Sequence, residues 1–169
     1  MKLVFIDGYN VINSWPNLKQ LKEITFQGAR EKLIETLHNY SSFMKYKVYL
    51  VFDGYLKSGN LESKEIKDNI VIIYTKEGET ADSYIEKKVD SLGRKKDILV
   101  VTSDSLEQQL IFQRGAVRMS SMELYYEVLK MEEDIKQKHK KNNSNKKNLL
   151  SDRLEKETME KLEKIRRSR

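Results

Sequence analysis

Leu3-Val4-Phe5-Ile6-Asp7-Gly8-Tyr9-Asn10-Val11-Ile12-Asn13 opens the chain with an apolar run that stops on an acid, a glycine and an amide. Such a run reads as a strand buried on both faces, and open α/β sheets gather their ligands outside the carboxyl ends of such strands. Asp7 is therefore a candidate site residue, although Asp-Gly after a strand is also ordinary turn chemistry. The pattern recurs twice. Lys47-Val48-Tyr49-Leu50-Val51-Phe52 runs into Asp53-Gly54, and Ile98-Leu99-Val100-Val101-Thr102 runs into Ser103-Asp104. If these strands are parallel neighbours, three carboxylates meet at one edge.

The segments between the strands have helical spacing. Asn13-Ser14-Trp15-Pro16-Asn17 reads as a loop, and from Thr25 the residues Phe26, Ala29, Leu33, Ile34, Leu37 and Tyr40 form an apolar stripe at three- and four-residue steps. Strand, helix and the strand at Val48 make a right-handed βαβ unit. Residues 54–69 are polar and glycine-broken, and read as a long loop overhanging the Asp53 edge. Ile70-Val71-Ile72-Ile73-Tyr74 is a further strand. In the helix that follows, stepping from Asp82 reaches Ile85, Val89 and Leu92, so Asp82 heads the face that packs on the sheet. That places it either in favourable contact with the helix dipole or in a cleft at the strand ends, with Glu79 and Thr80 as supporting or capping groups.

Asp104 has two readings, N-cap of a helix carrying Leu106, Leu110 and Ile111, or fourth acid of the cleft. Gly115-Ala116-Val117 adds a short last strand, and Ser120 with Glu123 opens a helix expected to turn Met122, Tyr125, Tyr126, Leu129 and Ile135 inward. Beyond Ile135 the periodicity fades into a lysine- and asparagine-rich linker, followed by a short helix on Leu154, Leu162 and Ile165. The predicted fold is α/β, a three-layer sandwich about a mainly parallel sheet over residues 1–135, with a basic, helical extension over 136–169.

Composition narrows the chemistry. Absence of cysteine excludes disulfides and thiolate metal sites, and only His38 and His139 are present, so any metal would have oxygen ligands. No apolar segment approaches the roughly 20 residues that span a bilayer, and the opening stretch lacks a signal-peptide pattern, so the chain reads as soluble and cytoplasmic. The net charge of +6 is unevenly placed. Residues 1–135 carry 19 Lys and Arg against 21 Asp and Glu, net −2, while residues 136–169 carry 13 against 5, net +8. Such a tail points to a polyanion, most often nucleic acid, or else serves as a solvated extension.

Acids at a sheet edge, without a nucleophilic triad, a P-loop or a dinucleotide glycine fingerprint, favour metal-assisted chemistry. Clustered carboxylates repel each other and are best tolerated around a hard divalent cation. Mg²⁺ or Mn²⁺ there would promote phosphodiester hydrolysis. Asp7 and Asp82 are the first candidate ligands, Asp104 the next, and Asp53 a ligand or support, with Asn10 holding substrate phosphate or a water beside the metal. Arg30, Lys57, Lys64 and Lys67 are candidate substrate contacts at the rim. A haloacid-dehalogenase-type phosphatase needs a second Asp where Tyr9 stands, and a receiver domain needs an acidic pair and a Lys that are missing.

Four ordered motifs resemble a known family. Ile6-Asp7-Gly8-Tyr9-Asn10-Val11-Ile12, Val51-Phe52-Asp53-Gly54, Glu79-Thr80-Ala81-Asp82 with Ile85-Glu86, and Val101-Thr102-Ser103-Asp104 resemble the NYN branch of the PIN-like nucleases. With Trp15-Pro16, Gly115-Ala116 and the basic tail, the chain is similar to the bacterial YacP-like NYN proteins. The resemblance implies a Mg²⁺-dependent endoribonuclease that cuts mRNA in association with the translating ribosome. It maps Asp7 and Asp82 onto catalytic acids, with Asp104 and Asp53 completing the pocket. The other expectation is a non-catalytic RNA- or ribosome-binding module of the same fold.

Overall fold

A computed structural model describes residues 1–54, 61–103 and 115–168. The elements run β1 (Leu3–Asp7), α1 (Gly8–Ser14), α2 (Pro16–Ile24), α3 (Phe26–Met44), β2 (Lys47–Phe52), β3 (Ser63–Lys67), β4 (Ile70–Tyr74), α4 (Ala81–Leu92), β5 (Ile98–Val101), β6 (Val117–Met119) and α5 (Ser121–Arg167). One sheet in the order β3-β4-β2-β1-β5-β6 holds all six strands. Every pairing is parallel except β3 with β4. The expected α/β architecture is observed, with β1 at its centre, between β2 and β5.

Alternate residues divide the core. Phe5, Val51, Val71, Ile73, Ile98 and Val100 pack with Ala81, Tyr84, Ile85 and Val89 of α4 on one face. Their neighbours in sequence, including Val4, Ile6, Leu50, Phe52 and Ile72, are equally buried, as strands covered on both faces require. The second face meets the layer of α1 to α3, shown by Tyr9 of α1 against both Phe52 and Phe26. The first turns of α5 join that layer: Trp15 Nε1 donates to the Ser121 carbonyl at 2.8 Å, and Tyr40 donates to Glu127 at 3.0 Å.

Several local expectations are corrected. The loop at residues 13–17 shrinks to Trp15, because Pro16 starts α2 at a position where proline's missing N–H costs nothing, and Val11 and Ile12 already belong to α1. Residues 63–67, expected as loop, form β3, an edge strand folded back through a two-residue turn in which Asp68 adopts φ 51. Only Ile66 is apolar within β3 and it is exposed, so alternation gave no signal there. In α5 the buried residues are Ser121, Leu124, Val128 and Met131, while Tyr126 and Leu129 face solvent and Met122, Tyr125 and Ile135 are half-buried. The helix has two competing apolar stripes, and the one headed by buried Ser121 packs. The expected linker after Ile135 is helix throughout. No Gly or Pro occurs after Gly115, and Lys, Glu, Gln and Leu all favour helix, so nothing stops it before Arg167.

The chain divides into two compact units, Met1–Leu129 and Lys130–Arg169. In the second, Leu149, Leu150, Leu154, Met159, Leu162 and Ile165 are exposed. Among the described residues no helix is long and apolar enough to cross a membrane.

Candidate active site

Asp7 is the last residue of β1 and the N-cap of α1, where its carboxylate accepts the Asn10 backbone N–H at 3.3 Å. Strand parity decides its direction. Phe5 lies on the face covered by α4, and Asp7, two residues on, continues that face. The turn is tight: a Cβ on Gly8 would fall 2.2 Å from the Phe52 ring, so strand and helix can meet this closely only at glycine. Asp53 follows Val51 by the same step of two and lies at the end of the neighbouring strand.

α4 delivers the next acid. Thr80 caps it by accepting the Ser83 N–H at 3.1 Å, and the Asp53 carboxylate accepts the Ala81 N–H. Asp53 thus ties the start of α4 to the end of β2. Gly54 packs against the backbone of Thr75, where an added Cβ would overlap the Thr75 carbonyl oxygen. Thr75 Oγ1 accepts from the Gly54 N–H at 3.0 Å and donates to the Glu79 carbonyl at 2.6 Å. Glu79 itself pairs with Lys87 at 3.1 Å, outside the acid cluster. Asp82 in the first turn faces Asp7.

The electrostatics register this convergence. Asp7 is pushed up to about 7, chiefly by burial and then by the charge of Asp82, with a hydrogen bond to Asp82 and the charge of Asp53 adding to the rise, and the Asn10 N–H opposing it. Among the described acids, Asp82 is within hydrogen-bonding reach of Asp7, while Asp53 acts on it through space. Among the described residues no group of three or more His, Asp or Glu stands close enough to enclose a metal. Two carboxylates nevertheless suit Mg²⁺, which is commonly held by one or two carboxylates and takes its remaining ligands from water and substrate phosphate. Asp104 and Lys57 lie outside the described residues.

The remaining candidates separate. Asn10 stands one turn beyond Asp7 and is held by Ser121, whose hydroxyl donates to its amide oxygen, while Ser103 donates to Ser121 at 3.1 Å. Arg30 lies over the rings of Phe26 and Tyr74 at 5.6 and 5.9 Å. Lys64 pairs with Glu62, and Lys67 pairs with Glu65 opposite Ile70, at the end of β4 away from the acids. Sequence reasoning missed Thr75, Ser103 and Ser121. A small hydroxyl residue at a strand end or helix start gives a weak signal, and only the fold places Ser121 beside Asn10.

Comparison with known proteins bears on the family and the fold. The YacP-like NYN domain matches residues 4–167. The uncharacterized protein YacP of Bacillus subtilis is 42% identical over 147 residues, 86% of each chain. A crystal structure of Rae1 (YacP) from Bacillus subtilis superposes with a TM-score of 0.72 at 40% identity, covering 99% of this chain and 95% of that one. A single-residue mutant of it gives 0.73 at 39%, covering 85% of each. Matched over nearly its whole length, the chain belongs to the YacP-like NYN family, and through it to a nuclease-type group of domains.

Proposed function

We propose that the chain is a metal-dependent endoribonuclease that cuts mRNA, acting in association with the translating ribosome. The observation that carries the chemistry is the Asp7–Asp82 pair at the carboxyl edge of the sheet, with Asp7 raised to about 7. Two carboxyl groups so close retain a proton near neutrality, and a divalent cation can take that proton's place. Asp7 and Asp82, with Asp104 next, would hold Mg²⁺ or Mn²⁺, which when bound activates water and neutralises charge on the phosphate under attack. Asp53 keeps α4, and with it Asp82, at the strand end. Asn10, fixed by Ser121, would orient phosphate beside Asp7.

Asp7→Asn and Asp82→Asn keep the shape of the side chain and lose its charge, so both are expected to abolish cleavage while the fold survives. Full activity in excess chelator would rule the mechanism out. The second reading is a non-catalytic RNA- or ribosome-binding module of the same fold. That reading predicts no product on any RNA and no thermal stabilisation by Mg²⁺ or Mn²⁺. Ribosome association rests on the family likeness and the basic extension. Naked RNA and stalled ribosomes, tested side by side, separate a ribosome-dependent enzyme from a general one: equal cutting of both sinks the ribosome-dependent version.

A further inference from the structure

On the α3 side of the same carboxyl edge stands a cluster of rings. Tyr9 lies 5.3 Å from Phe26 and 5.2 Å from Phe52, and Phe52 lies 5.5 Å from Tyr74, measured between ring centroids. Phe52 and Tyr74 end β2 and β4, and Tyr9 is two residues past Asp7, so the cluster stands at the same edge of the sheet as the acids, on its other face. Phe52 is fully buried, whereas Tyr9, Phe26, Tyr74 and Arg30 are half-buried. Phe26 and Arg30 are four residues apart on α3 and therefore share a face.

Arg30 is held by stacking. Its guanidinium lies over Phe26 and Tyr74, its Nε is buried without a hydrogen-bond partner among the described residues, and a terminal nitrogen at the exposed end donates to Gln27. A cation fixed over two half-exposed rings at the same sheet edge, on the face opposite the carboxylate pair, offers what the pair cannot. Asp7, Asp53 and Asp82 repel phosphate, while Arg30 attracts it at the same edge, and rings accept any unpaired base.

We propose that Phe26, Tyr74 and Arg30 form a binding platform for single-stranded RNA, a base stacking on the rings and the adjoining phosphate meeting the guanidinium. Taking the polymer to be RNA rests on the nuclease reading above. Duplex is rejected because its bases are stacked inside the helix and cannot reach the rings.

The test uses the full chain in chelator with a short RNA carrying 2-aminopurine, whose fluorescence falls on stacking, as a single strand and as a duplex. Wild type is expected to bind the single strand with quenching and the duplex much more weakly. Phe26→Leu and Tyr74→Leu are expected to lose the quenching and to bind about 5- to 100-fold more weakly, the range set by the loss of one stacked base. Arg30→Lys keeps the charge without the planar stack, and as a half-buried helix position it serves where a ring variant melts early. Quenching and affinity equal to wild type in Arg30→Lys and in the folded ring variants would overturn the platform, as would equal affinity for duplex. Cleavage is measured in parallel with Mg²⁺. Platform-dependent binding without cutting on any RNA would keep the platform and remove the nuclease reading, whereas cutting with no quenching would do the reverse.

Discussion

Asp7 ties the fold to the chemistry through a single side chain. Its carboxyl rises from an ordinary value of 3.8 to about 7, so the folded, metal-free protein binds a proton there more tightly than the unfolded chain does. Asp7 therefore favours folding fully below pH 4, and that contribution is lost as the pH rises from about 4 through 7. Thermal unfolding in chelator is expected to show a midpoint falling across that window. Asp7→Asn retains the cap to Asn10 but carries no charge, so it is expected to flatten this dependence and to melt higher than wild type at pH 7.5. An unchanged slope would mean that the Asp7 carboxyl is not raised in the folded protein. Asp53 acts on a neighbouring group instead. Asp53→Ala leaves the Ala81 N–H without its partner and is expected to cost about 0.5–2 kcal/mol, the scale of a lost helix cap, with Asp53→Asn milder because its oxygen still accepts. Denaturant titration of the two variants measures the difference. Asp7 and Asp53 are legible in the sequence because each sits two residues past a core residue of an apolar run. Asp82 is legible through its steps to Ile85 and Val89. The Asn10–Ser121 bond is not, because it links residues 111 apart in sequence.

Among the elements, those with strong periodicity are readable and those governed by pairing or by unbroken propensity are not. β1, β2, β4 and β5 are apolar on both faces, and α3 and α4 have clear stripes, so composition alone declares them. β3 exists because β4 offers it an edge, with five paired positions from Ser63–Tyr74 to Lys67–Ile70, and its own residues are mostly charged. The stretch of α5 just after Ile135, residues 136–147, reads as linker because it lacks an apolar face to bury. Its helicity comes from propensity and from i to i+4 side-chain pairs, which give only a few tenths of a kcal/mol each. A helix with so little support is sensitive to one break. Asn143→Pro, which removes a backbone donor and clashes with the preceding turn at a cost of about 3 kcal/mol, is expected to lower helical circular dichroism. Cleavage of naked RNA is expected to persist, because the described acids lie in the unit Met1–Leu129. Loss of cleavage with that variant would show that the second unit takes part in the chemistry itself.

At the scale of the whole molecule, charge is partitioned in a way that the fold class does not require. The near-neutral stretch 1–135 carries the acids, and residues 136–169 are net +8, their part of α5 exposed along its length to Arg167. The strand order β3-β4-β2-β1-β5-β6 is not legible in the sequence, because parallel neighbours are chosen by crossovers and not by local pattern. The division of charge is, since it needs only counting. A carboxylate pair repels RNA, so affinity is expected to draw on the basic helix through its lysines and arginines. Binding of that kind weakens with salt by a logarithmic slope of about 0.7 per single-strand phosphate neutralised. Ending the chain after Ile135 is therefore expected to weaken association with RNA or ribosomes and to flatten the plot of log affinity against log salt, with circular dichroism confirming that the sheet remains. If the truncated and full chains show the same slope, the basic helix neutralises no phosphate, and the attraction must arise from cations within residues 1–135, of which Arg30 stands beside the acid edge over Phe26 and Tyr74. Charge neutralisation of Lys146, Lys147, Arg166 and Arg167 to Gln then separates the two cases without removing the helix: a slope that falls in proportion to the number of charges removed assigns the phosphates to α5, and an unchanged slope assigns them to the first unit.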